Sequence, residues 1–191
     1  EKQLLKCPDP PGVAHYLIHS YDAPPIAAKG LDAARRYSKI APDAPHAPAT
    51  PHPQDVGSFA SFPNWRPPSF NEANVNDKPT WVKSLQLISA SRIATSDALH
   101  RSMLESLQSV DRAVASIIGT LQQTGRWENT LVVFLSDNGL TWGEHRLRDT
   151  KLCPYEECIR VPFWVRIPGV LARTDTNLVA NIDLAPTLAG W

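Results

Sequence analysis

No proline occurs between Pro79 and Pro154, although the chain as a whole is rich in it. Proline fixes φ, removes a backbone donor and interrupts helix interiors and central strands. Long regular elements are therefore confined to that middle stretch and to short segments after it. Most of the 18 prolines among the 191 residues fall at or before Pro79. The densest run, Pro42 to Pro53, reads PDAPHAPATPHP and holds five prolines in twelve positions, which predicts an extended connector. Residues Ser58 to Pro79 include FPNWRPPSFNEANVNDKP, where Asn, Asp and Pro clusters predict turns and loops.

Periodicity fills the rest. Leu99, Met103, Leu107, Val110, Val114, Ile117, Ile118 and Leu121 recur at helical spacing, which predicts one long amphipathic helix over Ser91–Thr124 with Gly125 as its stop. Thr130 to Leu135 is a continuous apolar run with β-branched content, the pattern of a strand buried on both faces. Val161 to Arg166 is a second such run, and Asp183 reads as the N-cap of a helix over Leu184–Ala189. Helix, strand, loop, strand, helix predicts an α/β fold. Upstream, Gly12–Tyr21 and Ile26–Ile40 carry two short helical patterns, a hairpin too small to bury both of its faces. His15 and His19 stand four apart within it, but no Glu and no third ligand accompany them, so they read as packing residues.

Composition excludes several classes. Hydrophobic residues are 42% and charged ones 20%, enough for a packed core. Nineteen basic and nineteen acidic side chains balance, which argues against a partner recognised by neutralising phosphates, so no nucleic acid is expected. No run of 18 apolar residues occurs, so no helical membrane span is expected. The chain opens on Glu1, not Met, and reads as a piece of something longer. Cys153 and Cys158 read as two partly buried thiols, with a local disulfide as the alternative, and the cysteine count leaves the compartment open.

The chemistry concentrates where the first strand ends, in Ser136-Asp137-Asn138-Gly139, Gly143-Glu144-His145-Arg146 and Lys151. Ligands in open α/β sheets sit at the carboxyl ends of strands. Asp137 and Asn138 offer two hard oxygen donors, suited to Ca²⁺ or alternatively Mg²⁺. Lys151 adds a fixed positive charge, as an anionic substrate requires. Taken alone, Asp-Asn-Gly is also an ordinary turn; the whole string carries the functional reading. Trp142, beside it, is a candidate sugar contact.

Residues 129–169, NTLVVFLSDNGLTWGEHRLRDTKLCPYEECIRVPFWVRIPG, resemble the sulfatase family of the alkaline-phosphatase-like superfamily. The similarity extends over residues 45–191, and Pro68–Asn71 and Asp77–Trp81 are similar to the glucosamine-6-sulfatase subgroup. The resemblance implies a fragment of the sulfatase α/β sheet from a hydrolase of sulfuric esters, with Asp137 and Asn138 as metal ligands and Lys151 and His46 contacting the sulfate. It implies that His46 also helps the leaving group depart and that His145 lines the site. The implied substrate is a sulfated small molecule or carbohydrate. The family's nucleophile is a formylglycine made from a cysteine in C-x-P-x-R or C-x-A-x-R, and none of Cys7, Cys153 or Cys158 lies in such a motif. The chain alone is therefore expected to bind metal weakly and to lack turnover. A phosphoesterase or phosphonate hydrolase of the same superfamily is the alternative enzyme.

Residues 1–46 instead resemble a tetratricopeptide-repeat protein, through PGVAHYLIHSYD and GLDAARRYSKIAPDAPH. The expected division is a helical-repeat hairpin over 1–45 and a partial sulfatase domain over 46–191, joined at Ala44-Pro-His-Ala47. That hairpin alone would suggest a helical-repeat interaction protein, but stacked repeats are needed for a core.

Overall fold

The computed structural model describes residues 44–190. The hairpin expected upstream, with His15 and His19, lies outside the described residues. Four helices and two strands follow in chain order: α1 (Thr80–Lys83), α2 (Ala90–Gln123), β1 (Val132–Leu135), α3 (Glu156–Ile159), β2 (Phe163–Arg166) and α4 (Leu184–Ala189). Single 3₁₀ turns stand at Pro53–Asp55, Trp127–Asn129 and Asn181–Asp183.

The proline-free stretch does become one long element. Helix α2 runs for 34 residues. It ends in a Schellman arrangement, with Gly125 at φ 66° and the N–H groups of Gly125 and Arg126 donating to the carbonyls of Gln122 and Leu121. The buried face differs from the expected apolar stripe. The residues buried most deeply on α2 are Ser96, Glu105 and Ser106, while Leu107 and Ile117 are exposed. The reason lies in what α2 touches: polar loops rather than another helix. Glu105 accepts from Gly57 N at 2.9 Å, Ser96 donates to Asp149 at 2.8 Å, and Arg66 and Arg101 reach Asp97 and Asn64.

Arg112 of α2 forks onto both carboxylate oxygens of Asp55, at 2.9 and 2.5 Å. That hydrogen-bonded guanidinium holds the Asp55 carboxyl below the usual range, against the opposing effect of burial. A carboxyl depressed on folding contributes stability above the ordinary aspartate pKa of about 3.9, and the contribution fades as pH falls through the lower folded value. Asp55→Asn should therefore lower the melting temperature at neutral pH. Its deficit against the parent should shrink below about pH 4, as read from thermal unfolding at a series of pH values. A deficit that stays constant into acid would show that the pair carries no proton-linked stability.

The two expected strands form, but as an antiparallel pair. Val132, Val133, Phe134 and Leu135 stand opposite Arg166, Val165, Trp164 and Phe163. Burial on both faces is not found: Phe134 and Trp164 stack with centroids 5.5 Å apart and are 37% and 68% exposed. Among the described residues the sheet has two strands, and that face has no covering layer. The expected α/β fold thus stands in its coarser form, helices mixed with a small sheet. Arg166 fixes the strand start, donating to Trp127 O and Thr130 O while lying 3.9 Å over the Trp127 ring.

Two further expectations change. Within the described residues, the proline-dense run opens on turns over 44–48 and closes in the Pro53–Asp55 3₁₀ turn, so it is not an extended connector throughout. Ala49 N donates to His46 O at 2.8 Å, and the small Ala49 side chain is 2% exposed. Asp183 does not cap α4 with its side chain; its carboxylate turns back to accept from Ala180 N at 2.8 Å, closing the 3₁₀ turn instead. Among the described residues no helix is long and apolar enough to cross a membrane.

Candidate functional site

The segment after β1 is a loop closed upon itself. Thr141 N donates to Thr150 O at 3.0 Å, Asp149 N returns to Thr141 O at 3.0 Å, and Trp142 bridges Arg148. Gly139 N donates to Cys158 O at 2.8 Å, which brings the Asp-Asn-Gly turn against α3. The approach is so close that a Cβ on Gly139 would overlap Glu157 O and stand 2.9 Å from its carbonyl carbon. Gly143, at φ 127°, would place a Cβ 2.5 Å from the Phe70 ring. Only glycine meets both requirements at these positions.

Glu144 is the buried hub of this loop, at 2% exposure. Its carboxylate accepts from Trp65 Nε1 and from Trp142 N, the second at 2.6 Å. The next two residues take left-handed conformations, His145 at φ 53° and Arg146 at φ 64°. This twist aims Arg146 at three backbone carbonyls of the upstream segment: Glu72 O at 2.9 Å, Leu85 O at 2.7 Å and Ala73 O at 3.0 Å. Asn71 completes the seam, pairing both amide atoms with the backbone of Ile88 and donating its own N–H to Gly143 O.

His145 is inside this seam. Nδ1 meets Glu72 at 2.8 Å, Nε2 stands 3.9 Å from Glu157, and the ring lies 4.2 Å from that of Tyr155. Lys78 joins Glu72 at 3.6 Å and Asp77 at 2.6 Å. The bond from Lys78 holds the Asp77 carboxyl below its usual range, and the same bond raises the Lys78 ammonium. Trp142 packs on His100, ring centroids 4.5 Å apart, and burial pushes that imidazole toward its neutral form.

Asp137 is exposed at the end of β1, and Asn138 beside it is half-buried. One Asp137 oxygen accepts from Asn138 N at 2.9 Å. The Asn138 amide nitrogen donates to Gly139 O at 2.9 Å, so its Oδ1 is not used in that bond. Asn181 braces the turn from α4's side, donating to Ser136 O and Asp137 O. A hard cation fits this donor set, which supplies part of a shell of roughly 6–8 oxygens. Among the described residues no cluster of three or more His, Cys, Asp and Glu could complete it.

Lys151 is exposed one residue beyond the Thr141–Thr150 pairing. Cys153 and Cys158 are disulfide-bonded, Cα atoms 5.7 Å apart, so the two thiols read from the sequence are one cystine. The structure therefore gathers Asp137, Asn138, His145 and Lys151 into one loop system. His46 stands in a separate turn, exposed, its Nδ1 donating to Ala47 O at 2.8 Å. The sequence assigns no role to Glu72, and although Asn71 and Arg146 fall within the strings named above, nothing in them marks the bonds they make. Their partners lie far along the chain, and no local pattern marks them.

The sulfatase family model matches residues 28–191, and the chain belongs to the sulfatase family. The match begins ahead of the boundary expected at residue 46. The chain is 31% identical over 178 residues to an arylsulfatase of Volvox carteri, covering 80% of this chain and 27% of that protein. It is 35% identical over 153 residues to human N-acetylglucosamine-6-sulfatase, covering 80% and 28%. It is 34% identical over 145 residues to an extracellular sulfatase SULF-1 homolog of Drosophila melanogaster, covering 75% and 13%. The chain thus spans about a quarter or less of the length of these curated relatives.

Proposed function

We propose that this chain supplies the cation- and anion-binding side of a sulfatase active site, in an enzyme that hydrolyses sulfate esters of carbohydrates. The observation that carries the reading is the Asp137–Asn138 turn, which presents oxygen donors at the end of β1 and is hydrogen-bonded through Gly139 to Cys158 of α3, itself bridged to Cys153 beside Lys151. Similarity to N-acetylglucosamine-6-sulfatase supports a sugar sulfate as substrate.

In this reading Asp137 and Asn138 hold a divalent cation, Ca²⁺ before Mg²⁺. When bound, such an ion supplies positive charge against developing negative charge on oxygen. Lys151 places a fixed ammonium where sulfate oxygens are held. His46 donates Nδ1–H to Ala47 O, so it passes a proton from Nε2 to a leaving oxygen only as the imidazolium, protonated on both nitrogens, and is left as the neutral Nδ1–H form. His145, enclosed by Glu72, Tyr155 and Glu157, keeps the loop in shape at the margin of the site. The formylglycine nucleophile expected of the parent enzyme has no precursor motif in these 191 residues.

Calcium titration by calorimetry and aryl sulfate and aryl phosphate assays test this reading. A polypeptide of these residues should bind Ca²⁺ more weakly than about 0.1 mM and turn over neither ester. Asp137→Ala should abolish the heat of binding. Turnover at the rate of an intact sulfatase, or an unchanged isotherm in Asp137→Ala, would sink the assignment.

A further inference from the structure

The segment that bears Lys151 has few contacts of its own. Lys151, Leu152 and Pro154 are exposed, Leu152 at 88%, and the backbone of this stretch is held at Leu152 N, which donates to Thr150 Oγ1 at 3.2 Å. Cys158, by contrast, is 3% exposed and meets three parts of the site. Its carbonyl accepts from Gly139 N at 2.8 Å, so it grips the Asp137–Asn138 turn. Its sulfur lies 3.6 Å from Thr150 O, the carbonyl that also accepts from Thr141 N. That same sulfur is bonded to Cys153, two residues beyond Lys151. Lys151 is thus bracketed, through Thr150 on one side and Cys153 on the other, by the residue that grips the metal turn.

We propose that the Cys153–Cys158 cystine is a positioning element of the site, which holds the Lys151 ammonium in register with the Asp137–Asn138 turn. Reduction by a dithiol transfers two electrons and two protons, giving two thiols and the oxidised reductant. The bond between residues 153 and 158 is then lost. Residues 151–154 keep a single backbone tether, and the loop-closure constraint on them is released. Cys158 loses one of its anchors at the same time, so the Gly139 and Thr141 hydrogen bonds open more often. The proposal rests on the sulfatase reading only for the identity of the anion that Lys151 meets.

The test uses the 191-residue chain in a Cys7→Ser background, so that one pairing is available. Amide hydrogen exchange is followed for the oxidised chain, the reduced chain, the reoxidised chain and Cys153→Ser. Exchange at Gly139 and Thr141 should speed by about tenfold on loss of the bond, stay unchanged within α2, and return on reoxidation. Inorganic sulfate is titrated in parallel, followed by NMR shifts at Lys151. Its dissociation constant should rise about fivefold without the bond, and Lys151→Ala should remove the response. Acceleration confined to residues 153–158, or an equal acceleration throughout α2, overturns the proposal. The first would mean that the bond closes only its own small loop, and the second that it acts on global stability. If sulfate leaves Lys151 unshifted even in the oxidised chain, the sulfate reading fails, while the exchange comparison at Gly139 and Thr141 still decides the role of the cystine. The reduced native sequence serves should Cys153→Ser fail to fold.

Discussion

Gly139→Ala is expected to lower stability by about 3 kcal/mol, because a methyl has no room between the Asp137–Asn138 turn and α3. The overlap is with backbone, the Glu157 carbonyl, and backbone cannot rotate aside as a side-chain tip can. To admit the methyl, the turn must lift from Cys158. That breaks the Gly139–Cys158 hydrogen bond and displaces Asp137 and Asn138 together. Gly119→Ala is the matched control. Gly119 lies within α2 with no atom within 4 Å of its built Cβ. There alanine should stabilise by about 0.5–1 kcal/mol through helix propensity. Urea unfolding of the two variants beside the parent measures both values. Equal small effects would show that the Gly139 contact relaxes freely.

Glu144→Ala should cost about 3 kcal/mol, through the unmade hydrogen bond of a buried donor and the cavity left behind. The carboxylate accepts from two N–H groups, the Trp65 indole and the Trp142 backbone. Both partners are donors, so Glu144→Gln is not neutral: one amide oxygen can serve one donor while the amide nitrogen faces the other. The glutamine variant should therefore fall between the parent and alanine. Because one partner is an indole, tryptophan emission provides a local reading separate from global unfolding. Trp65 freed from its acceptor should shift its emission in the alanine variant. An alanine variant as stable as the parent would remove Glu144 as the hub of the loop.

The two effects follow from parts of the chain that were unequally visible in its sequence. The gap in proline and the spacing from Leu99 to Leu121 place α2 within a residue of its observed ends, because helix limits are set by local chemistry. The apolar runs place β1 and β2, and the polar string after β1 places the candidate metal turn. Burial was less legible. A run such as Val132–Leu135 reads as covered on both sides, yet what covers a strand depends on its neighbours, not on the strand itself. On α2, Ser96, Glu105 and Ser106 are buried because irregular loops present backbone and carboxylates to them, which hydrophobic periodicity does not detect. Glu72, Asn71 and Arg146 follow the same rule, since each acts on a segment remote in sequence. The cystine was undecided for a different reason: a spacing of five permits a bridge but does not orient the two Cβ atoms.

Arg146 carries a further consequence, for the order in which the chain assembles. Its three carbonyl partners lie 61 to 74 residues away, and Glu144 reaches Trp65 across 79. Helix α2 needs no such reach, since its bonds close within each turn. Contacts of large sequence separation form only after the entropy of closing long loops has been met. The helix lies between the two segments that Arg146 joins, so once formed it shortens the span to be closed and brings them together. The loop that bears Asp137 and Lys151 thus depends on contacts of longer sequence separation than any that α2 needs to form.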